Sequence, residues 1–107
     1  MDGKQPMVEK YSFGTYIIVY NGQIYNTKEL KKILLENNFK INSHSDTEIL
    51  LKSYIHYGND VVKHLNGIYA FAIWDSQKEE LFIARDHFGV KPLFYTMQSN
   101  SFIFASE

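Results

Sequence analysis

The chain of 107 residues has no cysteine, two prolines and a single arginine, Arg85. Without cysteine it can form no disulfide bond and it presents no thiol nucleophile. The net charge is only −1, and acidic and basic residues are intermixed, which argues against the basic face that binds nucleic acid. No apolar run approaches the length of a membrane span, and no signal-peptide pattern is present. We therefore predict a cytoplasmic protein that binds neither nucleic acid nor membranes.

The chain does contain enough apolar material for one folded domain. Hydrophobic residues make up 45% of the sequence and aromatic residues 16%, which is well above the composition of disordered chains. No phosphate-binding loop is present, so this segment is not expected to bind ATP. A metal site is not expected either, because the histidines lack metal-ligand spacing; they are His44, His56, His64 and His87.

The hydrophobic pattern predicts two helices and several strands. Helices are expected at Thr27–Asn37, with Asn26 as the N-cap, and at Asp46–Tyr57. Every residue of Ile68–Trp74 is apolar, which predicts a strand with both faces buried. We interpret Arg85–Tyr95 as a structural loop that leads into a strand. The other expected strands are Tyr16–Tyr20, Leu81–Ala84, Leu93–Thr96 and Phe102–Ala105.

The residues Asn21-Gly22 join the first strand to the first helix. The pair is first of all a turn signal, since both residues tolerate positive φ and favour type I′ hairpins. A hairpin should continue into a second alternating strand, whereas only Ile24 and Tyr25 follow before the helix. A sharp turn at a strand end could instead expose the Asn21 amide beside the bare N–H of Gly22. Those are the two donors that a developing oxyanion needs.

A second candidate segment begins the second helix. Ser45 and Glu48 have the spacing of a capping box before an apolar-periodic run. Asp46 would then lie in the first helical turn, where the helix dipole favours a carboxylate. It could simply help to begin the helix, or it could project into a cleft and bind an ammonium group. Physical reasoning alone favours the local role.

Four motifs in sequence order carry a family resemblance. They are residues 21–26 (Asn-Gly-Gln-Ile-Tyr-Asn), 45–51 (Ser-Asp-Thr-Glu-Ile-Leu-Leu), 65–75 and 84–95. Together they resemble the glutaminase domain of glutamine-dependent asparagine synthetases, which are class II, N-terminal-nucleophile amidotransferases. The resemblance extends over nearly the whole chain with similar spacing. It implies an α+β fold that is part of a four-layer α-β-β-α sandwich of mostly antiparallel sheets.

The resemblance also implies roles for individual residues. In the family, the side-chain N–H at the position of Asn21 and the backbone N–H at Gly22 form the oxyanion hole. Asp46 matches the residue that binds the α-ammonium group of glutamine. Gln23 departs from the family, which more often has Glu near the substrate amine, so either glutamine binds more weakly here or Asp46 carries the recognition alone. No residue of this chain matches the nucleophile, which in the family is an N-terminal Cys.

The activity implied for the intact protein is hydrolysis of the glutamine side-chain amide. The ammonia would pass to the protein's own C-terminal synthetase domain, which would activate aspartate with ATP and Mg²⁺; a homodimer is left open. We expect residues 1–107 to be a partial amidotransferase domain that lacks its N-terminal strands and nucleophile, without the synthetase domain, and to be inactive alone. The alternative is a non-catalytic amidotransferase-like scaffold domain of a related synthetase.

Overall fold

The computed structural model describes residues 6–43, 45–87 and 90–98. Within these ranges the chain forms five strands, two α-helices and one 3₁₀ helix. In chain order the elements are β1 (Met7–Tyr11), β2 (Gly14–Ile24), α1 (Thr27–Glu36), α2 (Asp46–Tyr57), the 3₁₀ helix (Gly58–His64), β3 (Gly67–Asp75), β4 (Glu80–His87) and β5 (Val90–Gln98).

The five strands form one antiparallel sheet in the order β1-β2-β3-β4-β5. The longest ladder joins β2 to β3, from Tyr16 opposite Asp75 to Ile24 opposite Gly67. Short connections join the other neighbouring strands, whereas α1, α2 and the 3₁₀ helix lie between β2 and β3 in sequence. The predicted α+β class with antiparallel pairing is therefore confirmed.

The hydrophobic core lies between one face of the sheet and the two helices. α2 packs on β2, and α1 packs on α2. The ring of Tyr54 on α2 lies 6.3 Å from that of Tyr16 and 5.2 Å from that of Phe82. Leu30 and Leu34, one turn apart on α1, are both buried. None of the helices in the described ranges has the length and apolar character needed to cross a membrane.

The opposite face of the sheet is open in the described part of the chain. Phe71 and Ile73 of β3 are buried, whereas Ile68 is 60% exposed and Ala70 is also exposed. The prediction that both faces of β3 are buried is therefore wrong for the described residues. Val19 of β2, 46% exposed, belongs to the same open face. A second sheet over this face, which a four-layer sandwich requires, stays a prediction.

The prediction of a turn at Asn21-Gly22 is wrong, because β2 continues through both residues and remains paired with β3 as far as Ile24. The chain turns only at Tyr25 and Asn26. Asn26 does precede α1, but its side chain makes no hydrogen bond that caps this helix. It instead donates to the carbonyl of His64 at 2.7 Å and accepts from the N–H of Asn66 at 3.0 Å. Asn26 thereby ties the end of β2 to the chain that enters β3.

The capping box before α2 is confirmed only in part. The Ser45 hydroxyl accepts the N–H of Thr47 at 3.0 Å, as an N-cap should. Glu48 does not return to the N–H of Ser45. Its carboxylate accepts the N–H groups of Asn42 and Ser43 at 2.8 and 2.7 Å, and so it holds the loop before the helix.

The segment Arg85–Tyr95 is not the predicted loop, since Arg85, Asp86 and His87 belong to β4 and Val90–Gln98 forms β5. These two strands pair along most of their length. The expected strand at Phe102–Ala105 lies outside the described residues.

Candidate functional site

At Gly22 the backbones of β2 and β3 are in direct contact. The φ of Gly22 is +123°, and an added Cβ would lie 2.2 Å from the carbonyl oxygen of Ile68 and 2.8 Å from the Cα of Tyr69. A second close contact of the same kind lies two residues along the ladder, where Gly67 is opposite Ile24 and an added Cβ would lie 2.2 Å from the carbonyl oxygen of Gln23. Any larger residue at position 22 would therefore push the two strands apart.

The pairing register determines where the N–H of Gly22 points. Residue pairs in an antiparallel ladder alternate between those that exchange two hydrogen bonds and those that exchange none. The N–H of Tyr69 points toward β4 and donates to Oδ1 of Asp86 at 2.8 Å. Gly22 and Tyr69, which lie opposite each other, are therefore a pair that exchanges no hydrogen bonds. The N–H of Gly22 consequently points away from β3, toward the side of β1. Since the described β1–β2 ladder ends at Met7 opposite Ile18, no described residue of β1 lies opposite Gly22.

Asn21 and Gln23 flank Gly22, and both are exposed. Because side chains alternate along a strand, both project toward the open face of the sheet. Asn21 lines a shallow groove of about 720 Å³ on this face, together with Ala70 and Arg85. The Asn21 amide and the Gly22 N–H are thus adjacent in sequence but have different directions, one out of the sheet and one along its plane.

Asp46 lies on the helix side of the same region. It is the first residue of α2 and is half-buried. Burial raises the pKa of Tyr20, and the nearby charge of Asp46 raises it further, to about 12, against an opposing hydrogen bond with the backbone of Ile24. Tyr20 directly precedes Asn21, so Asp46 lies close to the strand that carries the Asn-Gly pair.

A buried ionic network fixes the start of α2. Glu48 and Lys52 are 2% and 4% exposed, and their charged groups are 2.6 Å apart. Lys52 also donates to the carbonyl of Lys40, and the Ser43 hydroxyl donates to Glu48 at 2.6 Å. Burial by itself would raise the pKa of Glu48, but hydrogen bonds from Lys52, Ser43 and Asn42 outweigh burial and lower it to about 2. The carboxylate therefore stays ionised and holds the loop that leads to Asp46.

The arrangement offers two hydrogen-bond donors and one anion near the end of β2. Backbone and amide N–H groups can stabilise negative charge on a carbonyl oxygen, and a carboxylate can bind an ammonium group. The roles of Asn21, Gly22, Asp46 and Gln23 stay predictions. Among the described residues, no cluster of acidic and histidine side chains is arranged to hold a metal ion.

Two further residues of this region, Tyr20 and Asp86, are not among the candidates that the sequence motifs indicate. Tyr20 continues the period-two pattern of buried Tyr16 and Ile18, and this spacing could have placed it on the helix side. Asp86 lies in the segment predicted to be a loop, and nothing local in the sequence indicates that it accepts a hydrogen bond from Tyr69.

Comparison with known proteins gives a consistent result. Residues 1–107 match the family of glutamine amidotransferase domains. Over 105 residues (98% of this chain) the chain is 52% identical to the glutamine-hydrolysing asparagine synthetase 3 of Bacillus subtilis strain 168. It is 43% identical over 106 residues (99% of this chain) to asparagine synthetase 1 of the same strain. The matches cover 17% and 16% of those two proteins, so the chain spans about a sixth of their length.

A solved structure shows the same fold. The glutamine phosphoribosylpyrophosphate amidotransferase from B. subtilis, complexed with ADP and GMP, matches with a TM-score of 0.64 and 26% sequence identity. The match covers 77% of this chain and 20% of that chain.

Proposed function

The chain belongs to the family of glutamine amidotransferase domains, and we propose that it is the glutaminase part of a glutamine-hydrolysing asparagine synthetase. In this proposal the longer protein releases ammonia from glutamine and transfers it to aspartate in an ATP- and Mg²⁺-dependent reaction. The ATP chemistry would belong to a synthetase domain outside these 107 residues. The identities to the two B. subtilis synthetases support this assignment.

The single observation that carries the proposal is the position of Asp46 beside the strand that carries Asn21 and Gly22. Asp46 is distant from this pair in sequence, yet after burial it is the nearby charge of Asp46 that raises the pKa of Tyr20, the residue before Asn21. Asp46 on the helix side, the Gly22 N–H in the plane of the sheet and the Asn21 amide on the open face all lie near the end of β2. In this proposal a glutamine at the edge of β2 presents its ammonium group to the carboxylate and its amide carbonyl to the two N–H donors.

The proposed chemistry assigns one task to each group. Asp46 binds the α-ammonium group of glutamine, and Gln23 lies beside the substrate amine. A thiolate supplied from outside these residues attacks the side-chain carbonyl carbon, forms a C–S bond and moves the carbonyl π electrons onto oxygen. Asn21 and Gly22 donate to that oxyanion. The proton lost by the thiol is transferred to the amide nitrogen, so collapse of the intermediate breaks the C–N bond, expels ammonia and leaves a thioester. Water then hydrolyses the thioester to glutamate and the free thiol.

The alternative is a non-catalytic scaffold of the same fold in a related synthetase. The presence of Gln23 in place of the more usual Glu favours it. The two proposals differ in the complete gene: an encoded Cys directly after the initiator Met supports the enzyme, and any other residue there supports the scaffold.

The activity test uses the full-length protein and measures glutamate and ammonia released from glutamine. Asn21→Ala should lower kcat by about 10²–10³ with little change in KM, because an oxyanion donor acts in the transition state. Asp46→Asn should raise KM roughly 10- to 100-fold, since a hydrogen bond to a charged group contributes about 1.5–3 kcal/mol. Asp60→Asn is the control, because Asp60 is exposed and pairs with Lys63 on the surface. A wild-type protein without glutaminase turnover would contradict the proposal and support the scaffold.

A further inference from the structure

Asp86 lies at an irregularity of β4. Between Arg85 and His87 the pairing of β4 with β5 shifts register, and Asp86 is the residue in between. The β3–β4 ladder ends just before Asp86, with Ala70 opposite Arg85. Beyond that pair, Oδ1 of Asp86 accepts the N–H of Tyr69 at 2.8 Å. A β-bulge can re-aim a side chain in this way, and bulges are over-represented next to active sites.

The backbone of Tyr69 is in direct contact with the backbone of Gly22. The two residues lie opposite each other in the β2–β3 ladder. At Gly22 the space that a side chain would occupy is filled by the Tyr69 Cα and the Ile68 carbonyl oxygen. No flexible side chain separates the two backbones, so a shift of the Tyr69 peptide moves Gly22 as well.

We propose that Asp86 is a positioning residue for amide hydrolysis, which holds Tyr69 and thereby fixes the Gly22 N–H as an oxyanion donor. This inference rests on the proposed function of Asn21 and Gly22. Asp86 acts through the oxygen that accepts the Tyr69 N–H, and its negative charge is not required.

The proposal predicts a specific kinetic signature. Interactions that form only in the transition state lower kcat and kcat/KM by the same factor when they are lost, and they leave KM unchanged. Ground-state binding of glutamine depends on Asp46, which is held separately by the network of Glu48 and Lys52. A change at Asp86 should therefore affect turnover and leave binding intact.

The experiment compares Asp86→Ala, Asp86→Asn and Asp86→Glu in the full-length protein, with glutamine hydrolysis and thermal unfolding measured for each. Asp86→Ala should lower kcat by about 10- to 100-fold, because a displacement of about 1 Å can cost 10²-fold. Asp86→Asn keeps an acceptor oxygen at the same place and should restore turnover. Asp86→Glu keeps the charge but moves the acceptor by one methylene, so it should lose turnover like alanine.

Glu80→Ala is the matched control, because it removes a carboxylate that accepts from Gln98 at the other end of β4. Its kcat should equal that of the wild type. If Asp86→Ala does not fold, the comparison of the Asn and Glu variants decides. The inference is overturned by unchanged kcat in the Glu variant, by an Asn variant as slow as the Glu variant, or by a rise in KM that accompanies the loss. An inactive wild-type protein is a distinguishable result, which would overturn the proposed function and this inference with it.

Discussion

Replacing Gly22 with alanine tests the backbone contact between β2 and β3 at the residue whose N–H is the proposed oxyanion donor. Two separate effects should destabilise the folded state. The first is conformational, because a φ of +123° is a region that residues with a Cβ rarely adopt. The second is steric, because the new Cβ would meet the Ile68 carbonyl oxygen at 2.2 Å and the Tyr69 Cα at 2.8 Å. Both are backbone atoms, so no side-chain rotation relieves the overlap.

The expected loss follows from these two effects. Holding a residue in a disfavoured backbone region costs about 1–3 kcal/mol, and forcing a methyl group against the β3 backbone costs about 1–3 kcal/mol more, as overpacking does elsewhere. Gly22→Ala should therefore lower the free energy of unfolding by about 2–6 kcal/mol. Gly58→Ala is the matched control, since its φ is +66° but a Cβ would meet only the Lys78 Nζ, at 4.0 Å. The control should lose about 1–3 kcal/mol, the conformational part alone.

The assay is urea unfolding followed by the fluorescence of Trp74, the chain's single tryptophan. Trp74 lies in β3 opposite Ile17 of β2, so its emission reports on the same sheet. For a small domain m is about 1–3 kcal/mol per M urea, so a difference of about 2 kcal/mol separates the two midpoints by roughly 1 M. If Gly22→Ala loses no more stability than Gly58→Ala, the argument from backbone contact is refuted.

Three further predictions concern other residues. The folded-state pKa of Glu48, about 2, lies below its ordinary value of 4.5. The ionised form therefore stabilises the fold fully above pH 4.5, and this stabilisation is lost as the pH falls toward 2. The destabilisation caused by Glu48→Gln, measured by urea unfolding, should shrink over the same pH range. Tyr54→Phe should lower the free energy of unfolding by about 1–3 kcal/mol, because the buried Tyr54 hydroxyl donates to Oδ2 of Asp75 at 2.9 Å. Gln23→Glu in the full-length protein should lower the KM for glutamine, because a carboxylate replaces a neutral amide beside the substrate amine.

Each of these has a control or a contrary result. Glu36→Gln, which changes an exposed acid at the end of α1, is the control for the loss of a carboxylate. A Glu48→Gln destabilisation that is the same near pH 2 as above pH 4.5 would count against the ionic network. Tyr95→Phe changes a tyrosine that is 56% exposed and should be neutral, so equal effects at the two tyrosines would contradict the role of Asp75. An unchanged KM in Gln23→Glu would refute the charge argument at that position.

The helices could be predicted from the sequence because their signals are local. α2 covers the predicted range, Asp46–Tyr57, since Ser45 supplies the N-cap and the apolar period follows at once. α1 begins at Thr27 as predicted and ends at Glu36, one residue short of the expected end. The roles of Asn21, Gly22, Gln23 and Asp46 are predicted from the family resemblance, which short contiguous motifs carry, and they stay predictions.

Interactions between distant segments determined the local structures that the sequence predicted wrongly. Asn21-Gly22 has the composition of a turn, but pairing with β3 keeps it extended. Glu48 has the spacing of a capping box, but Lys52 and the loop N–H groups bind its carboxylate instead.

The sequence by itself therefore determined the helices, the antiparallel α+β class and the family, because these depend on short periods, caps and contiguous motifs. The tertiary structure alone decided that Gly22 lies against the backbone of β3 and that Asp86 reaches Tyr69. It also decided that Asp46 lies near enough to Tyr20 for its charge to raise the pKa of that tyrosine. The physical reason is that each of these contacts joins residues that are distant in sequence, and only the pairing register and the helix packing bring them together.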